Sequence, residues 1–157
     1  MSGAVHELKV KRIESGTVID HIPPGQALNV LKILGIGGGS DAVVSMVMNV
    51  ESCKGPGRKD IVKIENRELA PSELDQIALI APDATVNIIR DYTVVEKHKV
   101  VLPKMAVGVL RCANPNCISN TSEPIASEFV VESTHPVVVR CVYCERKLSG
   151  NLADHLL

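Results

Sequence analysis

Four cysteines constrain this chain more than any other feature. Cys112 and Cys117 close the segment Cys-Ala-Asn-Pro-Asn-Cys, and Cys141 and Cys144 close Cys-Val-Tyr-Cys, with 23 residues between the two pairs. Each short loop turns its backbone so that both sulfurs face one point, and the intervening segment returns the second pair to the first. Four thiolates gathered in this way suit the tetrahedral preference of Zn²⁺, at about 2.3 Å per Zn–S bond. Four protein ligands also leave no open position for water or substrate. The spacing therefore predicts one structural, non-catalytic zinc ion per chain. The rival use of the same residues is two disulfides. The start, Met1-Ser-Gly-Ala-Val-His-Glu, is broken by charge and does not read as a secretory signal, and cytosolic chains rarely keep disulfides. Cys53 lies far from the four and reads as a bystander thiol.

A chain of 157 residues has room for one large domain or two small ones. No apolar run reaches the roughly 18 residues that a membrane span needs, so a soluble, cytoplasmic protein is expected. Charge argues against a nucleic-acid-binding zinc ribbon. From Lys104 to Leu157 there are five basic and five acidic side chains, and a Zn(Cys)4 centre adds negative charge. Phosphate backbones need a basic face. Aromatic side chains for base stacking are limited there to Phe129 and Tyr143.

The order of elements follows from apolar spacing. Residues 5–13 read as a first, loosely alternating strand. Thr17-Val-Ile-Asp-His-Ile22 is β-branched and reads as a strand, ended by Pro23-Pro24-Gly25. Residues 26–34 carry apolar side chains at helical spacing. Gly35-Ile-Gly-Gly-Gly-Ser40 is a loop; it follows a helix and lacks the Gly-Lys-Ser/Thr of a phosphate loop. Strands are expected over 42–50 and 59–65. Pro71 suits the first turn of a helix, with Leu74, Ile77, Ala78 and Ala81 as its apolar stripe and Pro82 as its end. Two more strands, 84–89 and 92–97, are split by Arg90-Asp91. From residue 17 the order is strand, helix, strand, strand, helix, strand, which is the ferredoxin-like arrangement. The fold class is thus α+β: a ferredoxin-like antiparallel sheet with two helices, then a small β-rich Zn(Cys)4 domain. Residues 101–104 link the two. In the second, short strands are expected at 108–111, 128–132 and 136–140. The tail 150–157 reads either as a short helix or as a frayed end.

Catalytic signatures are missing: there is no G-x-S-x-G, no H-E-x-x-H and no Walker lysine. Asp20 and His21 could form an acid/base pair, but adjacent strand residues point to opposite faces. The residues alone describe a binding or regulatory protein with a small zinc module.

Several blocks, in one order, carry a resemblance. Gly16-Thr-Val-Ile-Asp-His-Ile-Pro23, Gly57-Arg-Lys-Asp-Ile-Val-Lys-Ile-Glu-Asn66, Ala81-Pro-Asp-Ala-Thr-Val-Asn87 and Asn116-Cys-Ile-Ser-Asn120 resemble the regulatory chain of aspartate carbamoyltransferase. Both cysteine loops fall where that family has them. The resemblance runs from about residue 8 to residue 147. It implies a nucleotide-binding allosteric domain over 1–102 and a zinc-binding domain over 103–157 that contacts the catalytic chain. It implies that the chain is not itself an enzyme. Homodimers of it would hold catalytic trimers together and control them in pyrimidine biosynthesis, with CTP, ATP and in some members UTP as effectors.

The family's effector site carries over by position. Lys97 resembles the lysine that meets the triphosphate, and Lys63, on the neighbouring strand, the one near base and ribose. Asp20 resembles the ribose-hydroxyl partner and His21 the residue beside the phosphates. The backbone at Lys11, Arg12 and Ile13 would read the base. Val10, Val18, Asn87, Ile89, Tyr92 and Val94 fall where the family lines its pocket. Lys11 departs from the acidic residue expected there. Compact lysine ammonium groups suit a triphosphate without a phosphate loop. Two other classes remain open: a free-standing nucleotide-sensing domain whose zinc ribbon meets an unrelated partner, and a nucleic-acid-binding ribbon.

Overall fold

The computed structural model describes residues 12–37, 39, 41–52 and 57–157. Cys53 and most of the strand expected over 5–13 lie outside these; Arg12 and Ile13, its described members, belong to no strand. The chain forms two compact units. One comprises residues up to 74 together with 83–100, the other 75–82 together with 101–157.

The first unit is a five-stranded antiparallel sheet in the order β2-β3-β1-β4-β5. Its strands are β1 (Gly16–Ile22), β2 (Val44–Glu51), β3 (Arg58–Glu65), β4 (Thr85–Arg90) and β5 (Thr93–Lys99), with helix α1 (Ala27–Ile33); α2 (Pro71–Ile80) begins in this unit and runs into the segment 75–82 grouped with the other, and all follow the chain order expected. The four strands from β1 to β4 have the ferredoxin-like arrangement. β5 is added outside β4 by a two-residue turn, Asp91-Tyr92, with φ of 53° and 62°. Positive φ at both central residues matches the right-handed twist of the flanking strands.

Alternation decides which face is buried. Thr17, Ile19 and Ile22 of β1, Asp60, Val62 and Ile64 of β3, and Val86 and Ile88 of β4 are all buried, and α1 lies against β3. α1 is only seven residues long and Gln26 gives it no side-chain cap. Its start is held from outside: the fully buried Asp60 accepts from the N–H groups of Gly25 (2.9 Å) and Ala27 (3.1 Å), and also from Asn49 (2.8 Å). One carboxylate thus supplies orphan helix donors and ties α1 to β2 and β3. The end of α1 is a Schellman motif: Gly35, at φ 71°, donates to Lys32 and Ile36 to Leu31. The glycine loop that follows begins as a helix cap.

The second unit holds the sheet β6-β7-β8-β9, with β6 (Met105–Val107), β7 (Glu128–Thr134), β8 (Val137–Cys141) and β9 (Lys147–Leu148). The strand expected at 108–111 is not there. Gly108, at φ 71°, turns the chain after β6, and Leu110 makes only an isolated bridge to Leu156. β9 is too short to show in an apolar pattern. The tail forms a 3₁₀ turn, Leu152–His155, with Leu152 and Ala153 buried. It is pinned by Arg111 N–H to His155 O (2.6 Å) and Leu157 N–H to Val109 O (3.0 Å). Phe129, Leu110, Val139 and Leu152 fill the core of this unit. Among the described residues no helix is long and apolar enough to cross a membrane.

Candidate functional site

Cys112 and Cys117 sit in the loop after β6, Cys141 ends β8, and Cys144 sits in the turn before β9. The four sulfurs lie within 4.8 Å of one another. Cys112 and Cys144 sulfurs are 3.4 Å apart, and those of Cys117 and Cys141 3.7 Å. A disulfide needs about 2.05 Å, so these are thiols, and the pairs cross between the two loops. A tetrahedron with Zn–S bonds of about 2.3 Å has edges of about 3.8 Å. The donor set and its spacing therefore fit one structural zinc ion.

Local hydrogen bonds hold the loops open toward that point. In the first, Asn114 accepts from Asn116 N–H (3.0 Å) through its side chain and from Cys117 N–H (3.0 Å) through its carbonyl. Asn120 donates to the carbonyls of Cys112 (2.9 Å) and Asn114 (2.8 Å), closing the loop from behind. In the second, Cys141 N–H donates to Arg146 O and Glu145 N–H to Cys141 O, both at 2.9 Å, with Glu145 at φ 64°. The metal-free thiols are unequal. Burial pushes Cys112 up to about 12 and raises Cys141. Burial also raises Cys117, but donors from Ser119 outweigh it and leave the thiol lowered. The Arg146 backbone N–H draws Cys144 down to about 7. A cation that needs four thiolates is what resolves this mixture, because metal binding expels the remaining protons. Beside Cys112 lies a cavity of about 580 Å³, bordered by Arg111, Pro115, Asn120 and His155.

The second candidate site is on the open face of the first unit's sheet. Val18 pairs with Lys63 on β3 and with Asn87 on β4, Asn87 pairs with Lys97 on β5, and Lys63 with Ser45 on β2. Cross-strand partners share a face, so these side chains form one row. Contrary to the expectation above, Lys63 and Lys97 do not lie on neighbouring strands. The ferredoxin-like order inserts β1 and β4 between them, which separates their Cα atoms by roughly 14 Å at three strand spacings. Seven of the expected residues line one cavity of about 190 Å³: Arg12, Ile13, Val18, Lys63, Ile89, Tyr92 and Val94. Asn87 and Lys97 continue the row beyond it. Val10 and Lys11 lie outside the described residues.

Asp20 and His21 do not alternate as a regular strand would have them. Ile19 faces Val62 and Ile22 faces Asp60, so two residues of β1 oppose one of β3. His21 sits at φ 59°. The bulge keeps Ile19 and Ile22 both buried and leaves Asp20 and His21 on the same side. His21 N–H donates to Asp20 (2.6 Å), and its Nδ1 is 3.2 Å from the Thr85 hydroxyl. Lys59 was not among the expected residues. Its Nζ is 2.9 Å from the Asp20 carboxylate, and both side chains are mostly buried, at 12% and 24% exposure. The signal was present: Lys59 is four residues before Lys63, hence on the same face of β3. Lys63 itself is lowered from its ordinary pKa, first by burial and then by the nearby Arg12 guanidinium.

Known proteins resemble the chain over both units. A family profile described as the allosteric domain of the aspartate carbamoyltransferase regulatory chain matches residues 8–101. One described as the metal-binding domain of the same chain matches residues 104–153. The aspartate carbamoyltransferase regulatory chain of Methanothrix thermoacetophila is 61% identical over 151 residues, 96% of this chain and 97% of its own. That of Methanocella arvoryzae is 61% identical over 152 residues, with the same shares. That of Thermofilum pendens is 53% identical over 152 residues, 96% and 95% of the two chains. The matched metal-binding domain contains all four clustered thiols, and the matched allosteric domain contains the whole of the row across the sheet. The chain belongs to the family of aspartate carbamoyltransferase regulatory chains, the non-catalytic subunits of that enzyme complex.

Proposed function

We propose that the open face of the first sheet binds nucleoside triphosphates and that the chain passes their level on to catalytic trimers of aspartate carbamoyltransferase. CTP and ATP compete for the site, and UTP is a further ligand. The chain acts in the cytoplasm as a homodimer within the larger assembly and tunes pyrimidine biosynthesis. Residues 1–102 form the nucleotide-binding allosteric domain and 103–157 the zinc-binding domain that contacts the catalytic chain. The matched ranges 8–101 and 104–153 support that division. Val107, Ile118 and Tyr143, exposed apolar side chains of the zinc unit, support its role as the joint.

One observation carries the nucleotide reading: a small, mostly apolar cavity with Lys63 in its wall opens onto a face that also bears Asp20, Lys59 and Lys97. The apolar wall suits a base, and Asp20 a ribose hydroxyl. His21 and Lys97, further from the cavity, suit the phosphates. An effector shifts a two-state equilibrium only by its differential affinity for the two states, typically about 1–3 kcal/mol. Two nucleotides in one pocket act in opposite directions when each fits a different state.

Calorimetry on site variants tests the assignment. Lys97→Ala should weaken CTP and ATP alike, because the triphosphate is common to both. Hydrogen bonds to charged groups are worth about 1.5–3 kcal/mol, so a loss of about tenfold or more is expected. Lys63→Ala should also disturb discrimination between the two. Wild-type affinities in Lys97→Ala would overturn the site.

A further inference from the structure

The cavity of about 580 Å³ beside Cys112 belongs wholly to the zinc unit. Backbone pairing sets two of its lining side chains next to each other. Leu110 bridges Leu156 in antiparallel fashion, Arg111 N–H donates to His155 O (2.6 Å) and Leu157 N–H to Val109 O (3.0 Å). That register puts Arg111 opposite His155. Leu110 is fully buried, so Arg111, the next residue, turns to the outer side, and cross-strand partners share a face. The wall also holds Ser119, Asn120 and Thr121, whose donors are already engaged. Asn120 donates its amide hydrogens to Cys112 O (2.9 Å) and Asn114 O (2.8 Å), the Thr121 hydroxyl donates to Ile118 O (2.7 Å), and the Ser119 hydroxyl lies 3.2 Å from the Cys117 sulfur.

Arg111 and His155 are the side-chain nitrogen donors left over. Among the described residues, neither side chain takes part in a hydrogen bond or ion pair. A guanidinium offers five N–H donors in a planar fork that matches a carboxylate, and an imidazole always keeps one N–H. No aspartate or glutamate lines the cavity, so an oxyanion is its complement. Arg111 is exposed and His155 half-buried, which decides where the oxyanion comes from. A free anion at an exposed arginine gains little over water. One carried in by a docking chain meets the same fork with water excluded, and arginine is enriched among the residues that carry interface affinity. The exposed apolar side chains of Ile118, next to Ser119, and of Leu157, in the wall, fit a surface that becomes covered. Resting on the reading of the zinc unit as the joint, we infer that this cavity receives an aspartate or glutamate side chain of the catalytic chain, held by the Arg111 guanidinium with the His155 ring beside it.

The test is binding of the full chain to catalytic trimers over a range of salt, as wild type, Arg111→Gln, Arg111→Glu and Arg111→Lys, with zinc counted in each by elemental analysis. Arg111→Gln should weaken binding about tenfold or more and Arg111→Glu further. Arg111→Lys should lose less than either, because lysine keeps the charge without the fork. Wild-type affinity should fall with salt more steeply than that of Arg111→Gln, a difference that a merely structural role of Arg111 would not produce. Should Arg111→Gln lose its metal, Arg111→Lys against the wild type carries the comparison. Calorimetry of the chain alone with acetate and with inorganic phosphate separates the two sources of an oxyanion. No Arg111-dependent binding tighter than about 1 mM is expected; saturable binding of that kind would assign the cavity to a free anion and overturn the inference. Equal affinity of wild type and Arg111→Gln, an Arg111→Glu variant no weaker than Arg111→Gln, or an unchanged salt dependence would each overturn it as well and leave the joint standing. A wild-type chain that does not bind the trimers would overturn the reading of the joint and this inference with it.

Discussion

Asp60 is the residue on which most of the first unit's local geometry converges. It is fully buried and accepts from the backbone of Gly25, Ala27 and Asn49. Asp60→Ala leaves three N–H groups without their acceptor, and a buried donor left unsatisfied costs about 1–3 kcal/mol. The variant should lose at least about 3 kcal/mol in urea unfolding, with Asp60→Asn between it and the wild type. An Asp60→Ala midpoint equal to the wild type's would contradict this account of α1. Sequence gave no hint of it, because an acidic residue inside Lys59-Asp-Ile-Val-Lys reads only as a poor strand former. Gly16 is similar. A Cβ there would lie 2.0 Å from the Ile64 carbonyl oxygen, at φ 141°, yet in sequence it reads as any turn glycine. The residues expected to line an effector site were named one by one through resemblance, and seven of them share one cavity. Lys59 was missed because the resemblance led to Lys63, although period-2 spacing put both on one face.

At the scale of elements, periodicity located both helices and the strands β1 to β5, because each has a buried face with the right period. It could not show departures from that period. The bulge at Asp20-His21 is one, and the bulge at Val95 of β5, opposite Ile88 and Ile89, is another. Lateral strand order was hidden as well, which is why Lys63 and Lys97 were expected side by side. The β1 bulge has a testable consequence. His21 holds φ 59°, a region open to glycine and asparagine but strained for β-branched residues. His21→Val should therefore lower stability by about 1–2 kcal/mol, measured by thermal unfolding without nucleotide, while His21→Gly should not add that strain. Equal melting of the Val and Gly variants would show that the bulge is not what fixes His21. In the second unit the expected strand at 108–111 failed because glycine conformation, which a pattern of apolar residues does not contain, turns the chain at Gly108.

For the whole molecule, the four cysteines made the zinc unit legible from spacing alone, since few other uses of C-x4-C and C-x2-C remain once disulfides are set aside. About fifty residues with few aromatics cannot build a large core, so metal binding supplies much of the folding free energy of such a module. Elemental analysis should find about one zinc per chain. Cys117→Ser should loosen residues from about 105 to the end while β1 to β5 remain protected in hydrogen exchange. Uniform protection across the chain in that variant would show that the metal is not what holds the unit. The central claim is that nucleotide bound on one unit alters catalysis through a joint made by the other. It is tested most directly by mixing the chain with catalytic trimers, confirming co-elution, and following carbamoyltransferase activity as CTP is added. The account predicts a saturable change in activity with the wild type, a response lost with Lys97→Ala although that variant still co-elutes, and trimers left active but uncoupled with Cys117→Ser, which should not co-elute. Activity that stays flat in CTP while the wild-type chain is bound to the trimers would contradict it.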